Sequence, residues 1–349
     1  MTRAIDRGVL ALAIVALSWS CIVVAQWKSI GIGWFADWQT YALAWLRVSH
    51  GGPLYDAAQV AGPYRLPDMI GRGYAYPPAS VVLFAPFSSW PAGFIAWTTV
   101  NVGTLLTALW ALATRISPMR RTLLFAAMLL GLAGFFPFED GVGVGNLSIA
   151  AAGLFGWAYV LGERTAPGLG AIAGLARLTS GTLALAGLRN RRAAFKGIAL
   201  GALLVVASLP IVGLDAWLSY PAVIANAMPD CYPGNIGIGC VFPGVAAAKW
   251  LTLLLALAVA AGAVAIPRYA YRIAFAGVAS LLLSMAGDFH RHYWVLLALI
   301  PVILLADATA RRRSARELGH APTTDGRLSA LPEPMPREGV AHPASAAPD

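Results

Sequence analysis

An all-α polytopic membrane protein with about ten transmembrane helices is the fold class this sequence predicts, and three observations carry it. Hydrophobic residues make up 58% of the 349 positions and charged residues only 12%. The apolar residues arrive in repeated blocks, where a soluble chain of this length would interleave them with charge. The basic residues behind the net charge of +9 gather at the ends of those blocks, as topology signals do. No basic stripe is interleaved with stacking aromatics, so nucleic-acid binding is excluded and the lipid bilayer is the first partner.

Taken in order, the apolar blocks fall near residues 9–29, 77–89, 93–114, 122–138, 147–162, 168–188, 197–213, 246–266, 273–287 and 293–309. Several are shorter than the roughly 20 residues a perpendicular span needs, so tilted pieces or half-helices are expected among them. The N-terminus, "MTRAIDRGVLALAIVALSWSCIVVAQ", has an apolar region too long for a signal peptide and no small-x-small cleavage site. It is read as an uncleaved first span.

Orientation follows from charge. Arg3 and Arg7 precede the first block, "RNRRAAFK" follows the sixth, Arg268 and Arg272 precede the ninth and "RRRSAR" follows the last. Ten spans put all four clusters on one side, with both termini cytoplasmic. One cluster disagrees: "RISPMRR", residues 115–121, falls outside. Either 168–188 is a hairpin of two half-helices around Thr179-Ser180-Gly181, or the count near 77–114 is wrong. Residues 1–313 form one transmembrane domain, and the Pro/Ala-rich stretch 314–349 reads as a disordered cytoplasmic tail.

Two external segments result, 30–76 and 214–245, with a short turn "GDFHRH" at 287–292. In the first, "DWQTYALAWLR" sets Trp38, Tyr41, Ala42, Trp45 and Leu46 at helical spacing, as in an amphipathic helix at the membrane interface. Asp37 opens that helix. An N-cap is one reading of it, since the side chain and its charge suit a helix start; interfacial acid–base chemistry is the other.

The ordered blocks "DWQTYALAWL" from Asp37, "GGPLYD" from Gly51 and "YAYPPASVVLFAP" from Tyr74 resemble the first external loop and second span of the bacterial family 87 glycosyltransferases. "GNLS" at Gly145, the Gly-rich segment from Gly168 ending in Arg177, and "FHRHYWVLL" from Phe289 are similar to later segments of that family. The family's Lys-Pro after the Gly-rich segment is replaced by Thr179-Ser180, leaving Arg177 as the nearest cation, and Phe289 stands where a Trp is usual.

The resemblance implies a GT-C-like bundle in the bacterial inner (plasma) membrane, with interfacial helices in its first external loop. It implies a polyprenyl-phosphate-sugar donor, mannose by default, a glycan or glycolipid acceptor, and inversion at the anomeric carbon on the external face. Carried over, it makes Asp37 the general base; a departing phosphate also needs cations to hold it, and Arg291, His292 and Arg177 are the candidates, in falling order of expected exposure at the external face. Tyr41, Tyr74, Tyr76 and Asn146 become the substrate-binding set. No cofactor or metal is required by this chemistry, and no compact ligand cluster of recognisable spacing is present.

Each residue also has a plainer reading. His292 could simply end a span, Arg291 contact headgroups and the tyrosines belong to an aromatic belt. Arg177 lies inside an apolar block, where an arginine is costly and functional by default. Asp56 reads as a turn residue, while Asp68, Asp288 and the pair Glu139-Asp140 are rival acids, the pair being placed inside by the ten-span count. "GVGVGN" at 141–146 lacks the βαβ context of a phosphate loop, and Gly170-x-x-x-Gly174 is ordinary helix-packing vocabulary. Cys231 and Cys240 flank "YPGNIGIG", where an oxidising periplasm allows a disulfide; with Asn226, Tyr232 and Asn235 that loop is a candidate acceptor cover. A lipid-linked-sugar carrier and a catalytically degenerate relative stand as alternatives to the enzyme. Concentration of the acids and histidines at one face favours the enzyme.

Overall fold

The computed structural model describes residues 2–29, 35–65, 69, 73–228, 231, 237–286 and 290–319. Among them the chain is helical throughout, with a single isolated bridge, Tyr64 to Ala227, and no strand. The helices are α1 (Thr2–Ser29), α2 (Ala36–Ser49), α3 (Ala57–Ala61), α4 (Pro78–Phe84), α5 (Ala92–Ile116), α6 (Arg121–Ala133), α7 (Phe136–Val144), α8 (Ser148–Leu161), α9 (Ala166–Ala176), α10 (Arg191–Asn226), α11 (Ile238–Val241), α12 (Ala246–Ala265), α13 (Tyr269–Met285) and α14 (Val295–Gly319). Contacts divide the chain into two units, Met1–Ala310 and Arg311–Asp349. Asp68, Asp288, Phe289, Tyr232, Asn235 and the segment 320–349 lie outside the described residues.

Among the described residues five helices are long and apolar enough to cross a membrane, and a sixth crossing is reached if the pair α6–α7, bent by 75°, counts as one, so ten spans are not confirmed. The block 77–89 folds as the ten-residue piece Pro78–Phe87, α4 followed by a 3-10 turn. At 1.5 Å per residue it covers roughly half of a hydrocarbon core ~30 Å thick. The block 168–188 is two antiparallel pieces, α9 and a 3-10 helix from Leu178 to Gly187, breaking where Arg177 turns extended at φ −147° and ψ 114°. Backbone approaches backbone along this hairpin: a Cβ on Gly170 would stand 2.2 Å from the Ala184 nitrogen and one on Gly187 2.4 Å from Pro167. The tenth helix bends at Gly213, so residues 214–226 of the expected external segment are still helical.

These two changes remove the disagreement over "RISPMRR". Arg115 donates to the Val160 carbonyl (2.7 Å) and Tyr269 to that of Ala158 (2.7 Å). Arg272, 2% exposed, forks onto Glu163 at 2.6 and 2.8 Å, the bidentate geometry that best satisfies a buried guanidinium. Arg115, Glu163, Arg272 and the Pro167–Gly187 end of the hairpin therefore share one end of the bundle. Arg272 is a packed ion pair as well as a topology signal.

Two hydrophobic cores follow. The larger fills the bundle with Leu105, Leu112, Phe138, Ile149, Phe155, Ile273 and Leu299. The second, at the opposite end, is aromatic: Trp38, Tyr41, Tyr55, Tyr64, Tyr74, Phe84, Trp97 and Tyr220 tie α2, α4, α5 and the far half of α10 together. It anchors the candidate site.

Candidate active site at the aromatic end

Asp37 is not a helix cap. The residue that caps α2 is Phe35, in left-handed conformation at φ 61°, and no side chain closes the helix start. A bulky residue is strained there. The Phe35 amide donates to the Gly143 carbonyl (3.0 Å) and its ring lies 3.7 Å from the Phe94 ring centroid, which hold the conformation. Asp37 falls in the first turn, favourable for a negative charge, with its carboxylate turned across the fold. There it accepts a hydrogen bond from Nδ2 of Asn146 at 2.6 Å.

Asn146 is brought to Asp37 by the glycines that precede it. The seventh helix ends at Gly145, left-handed at φ 73°, where a Cβ would stand 2.9 Å from that of Trp38. Only glycine combines that turn with that approach. Asn146 is then fixed on every side: its Oδ1 accepts from the Ser148 amide (2.8 Å) and its carbonyl from Asn101 (2.7 Å). Its Nδ2 also reaches the Tyr76 hydroxyl at 3.3 Å, and Tyr41 donates to that same hydroxyl at 2.9 Å. "GVGVGN" is thus the last turn of α7 and its glycine C-cap, which delivers an amide to a carboxylate.

The four expected substrate tyrosine and asparagine positions separate accordingly. Tyr76 and Asn146 touch the carboxylate cluster, and Tyr76 is half-buried. Tyr41, 1% exposed and stacked on Phe84 at 4.2 Å, stands behind Tyr76 as a support. Tyr74 is fully buried with its hydroxyl on Ser80, a core residue rather than a site lining. Burial, and after it the neighbouring tyrosine and Asp37, hold the Tyr41 phenol far above the ordinary tyrosine range; burial and then Asp37 do the same to Tyr76. Both remain neutral hydrogen-bonding groups. Asp56 caps α3 in a capping box with Gln59, a structural duty.

The expected cations approach from the other side. Arg177, at the tip of the α9 hairpin, lies 3.5 Å over the Tyr293 ring and donates to Ser284 Oγ at 2.8 Å, which in turn donates to Thr179 at 3.1 Å. Thr179, where the family's Lys-Pro is absent, thereby helps hold Arg177. Asp37, Tyr293 and Arg177 all act electrostatically on Tyr76, which puts the carboxylate and the guanidinium at the same end of the fold. Arg291 lies over the Phe136 ring at 5.4 Å, at the start of α7. His292 is buried, 4% exposed, with Nδ1 3.1 Å from Asp140 Oδ2. Asp140 is therefore at this same end, beside His292, and not at the opposite one. The sequence presents Glu139-Asp140 as rival acids, and the ten-span count puts them at the wrong end.

Cys231 and Cys240 are joined by a disulfide. Asn226 donates to the carbonyls of Gln59 (3.2 Å) and Val60 (2.8 Å), so it ties the two external segments together. Among the described residues no three His, Cys, Asp or Glu side chains are grouped to hold a metal ion.

The hairpin carrying Arg177 and the carboxylate of Asp37 lie at the same end of a helical bundle with several apolar helices. The family model described as glycosyltransferase family 87 matches residues 74–286. The chain belongs to glycosyltransferase family 87. No curated protein and no solved structure matches it. The matched range includes Tyr76, Asn146 and Arg177; Asp37, Arg291 and His292 flank it. As a family 87 member it is a membrane glycosyltransferase acting on a sugar donor and an acceptor in a lipid bilayer.

Proposed function

We propose that this glycosyltransferase moves a hexose, mannose in the first instance, from a polyprenyl-phosphate donor to a glycan or glycolipid acceptor at the external face of the bacterial plasma membrane. Asp37 is the general base. It takes the acceptor hydroxyl proton as that oxygen bonds to the anomeric carbon; the bond from that carbon to the phosphate oxygen breaks with inversion, and the polyprenyl phosphate leaves with the electron pair. Arg177, His292 and Arg291 hold the departing phosphate as charge builds on it. The chain fold this requires is the GT-C-like bundle, with the isoprenoid tail in the bilayer and the sugar at the depth of α2.

The observation that carries this reading is the state of Asp37. A carboxylate that caps no helix and is oriented by one amide, at the same end of the fold as Arg177, supports a role in proton transfer. The test is transfer of labelled mannose from polyprenyl-phosphate-mannose to membrane acceptors by purified wild type and Asp37→Asn. Because Asp37 caps nothing, Asp37→Asn is expected to fold, elute normally in detergent, and lose about 10²-fold or more of the turnover. Equal turnover in both proteins would return Asp37 to a purely structural role.

A further inference from the structure

Asp140 came out of the sequence only as a rival base, and the structure assigns it different work. We infer that Asp140 is a positioning residue: it holds the His292 ring by Nδ1 so that Nε2 is presented to the donor phosphate. The inference rests on the proposed reading of His292 as a phosphate contact and adds the residue through which that contact is made.

The geometry is closed on three sides. His292 Nδ1 stands 3.1 Å from Asp140 Oδ2, and both residues are buried, His292 at 4% exposure and Asp140 at 8%. His290 lies parallel to the His292 ring with centroids 5.4 Å apart, and Tyr293 meets it edge-on at 4.6 Å. Gly141, next to Asp140, allows α7 this close, since a Cβ there would sit 3.2 Å from that of His292. The ring therefore cannot turn freely. Nε2, by contrast, is buried and has no hydrogen-bond partner among the described residues.

A buried ring nitrogen without a partner costs free energy unless a ligand supplies one. The neighbours say which ligand. Tyr293, edge-on to His292, carries the Arg177 guanidinium 3.5 Å over its ring. A group that satisfies Nε2 therefore arrives beside a fixed positive charge, as a phosphate oxygen does. With Nδ1–H donating to the Asp140 carboxylate, Nε2 donates to a phosphate oxygen once it has taken a proton from solvent as the phosphate binds, and the carboxylate stabilises the imidazolium so formed, as the aspartate of a catalytic triad does. Asp37 also acts electrostatically on His292, so the ring belongs to the same site as the proposed base.

A residue that acts through another gives non-additive losses, and a merely structural one does not. The experiment is a double-mutant cycle on full-length protein in detergent, with Asp140→Asn, His292→Gln and the double variant. Turnover from polyprenyl-phosphate-mannose and binding of polyprenyl phosphate are both read. Asp140→Asn is expected to lower kcat by roughly 10- to 100-fold with a smaller change in acceptor KM, as removal of an outer ligand-orienting group does. In the His292→Gln background the same substitution is expected to cost less than about twofold. An equal loss in both backgrounds, or no loss in the wild-type one, overturns the inference. If Asp140→Asn does not fold, Asp140→Glu keeps the charge, displaces it by one methylene, and serves the same cycle with the same criteria. A wild type that neither transfers the sugar nor binds polyprenyl phosphate overturns the functional reading and this inference with it. An active wild type with additive losses overturns this inference alone.

Discussion

At the scale of single residues, the site depends on what each polar group is spared from doing. Asp37 is spared from capping because Phe35 occupies the strained start of α2. Tyr41 and Tyr76 are spared from ionising because burial holds their phenols well above the usual range, and burial raises Tyr55, Tyr64 and Tyr74 as well. That has a consequence for pH. In the unfolded chain these phenols ionise near pH ~10, while in the folded chain they stay protonated to higher pH. Above pH ~10 the unfolded state therefore binds fewer protons than the folded one, and stability falls as pH rises toward the folded values. Stability from this source is complete below pH ~10. Alkaline titration followed by tyrosinate absorbance and near-ultraviolet circular dichroism is expected to show ionisation and loss of the aromatic signal together. Tyrosinate forming while that signal stays native would show the phenols to be accessible.

At the scale of elements, the hairpin of α9 and the 3-10 helix after it decides where Arg177 sits. Its two arms touch through backbone at Gly170 and Ala184 and at Gly174 and Gly181. A side chain at Gly170 must push the arms apart, because the atom it meets at 2.2 Å is a backbone nitrogen. Gly170→Val is expected to destabilise the protein by about 1–3 kcal/mol, the range for overpacking, and to reduce transfer further by displacing Arg177. Gly168 is the control: a Cβ there meets only Leu200, at an ordinary 3.8 Å, so Gly168→Ala is expected to hold or gain stability by up to about 1 kcal/mol. Thermal unfolding in detergent separates the two. Equal behaviour of both variants would mean that the arms are not in contact.

At the scale of the whole molecule, the hairpin and the short α4 leave Arg115, Glu163 and Arg272 at one end and Asp37, Asn146 and His292 at the other. The proposed external placement of the aromatic end rests on the positive charge at the other end, since positive charge favours the cytoplasmic side. Met119 is 92% exposed in the basic loop and Trp90 is 64% exposed beside Phe35 and Trp38. In a Cys21→Ser background, a membrane-impermeant maleimide is expected to label Trp90→Cys in intact cells. It should label Met119→Cys only in inverted vesicles. The reverse pattern would put the site in the cytoplasm and remove the case for a polyprenyl-phosphate donor presented at the external face.

Composition and block length determined by themselves that the chain is a helical membrane protein, because burial in lipid permits few charges and demands closed backbone hydrogen bonds. The spacing of Asp37, Trp38 and Tyr41 likewise made α2 legible, and motif order made the family legible. The hairpin at 168–188 and a miscount near 77–114 were legible only as alternatives, since an apolar run reads alike whether it crosses the bilayer or turns back within it. That difference lies in backbone packing, such as Gly170 against Ala184. The opposite placement of Glu139-Asp140 followed from that ambiguity. Nor could one-dimensional spacing tell whether Asp37 caps α2, or bring Asn146, 109 residues away, to its carboxylate and Asp140 to His292 across 152. Those pairings exist only where helices meet, and so the tertiary structure alone decided them.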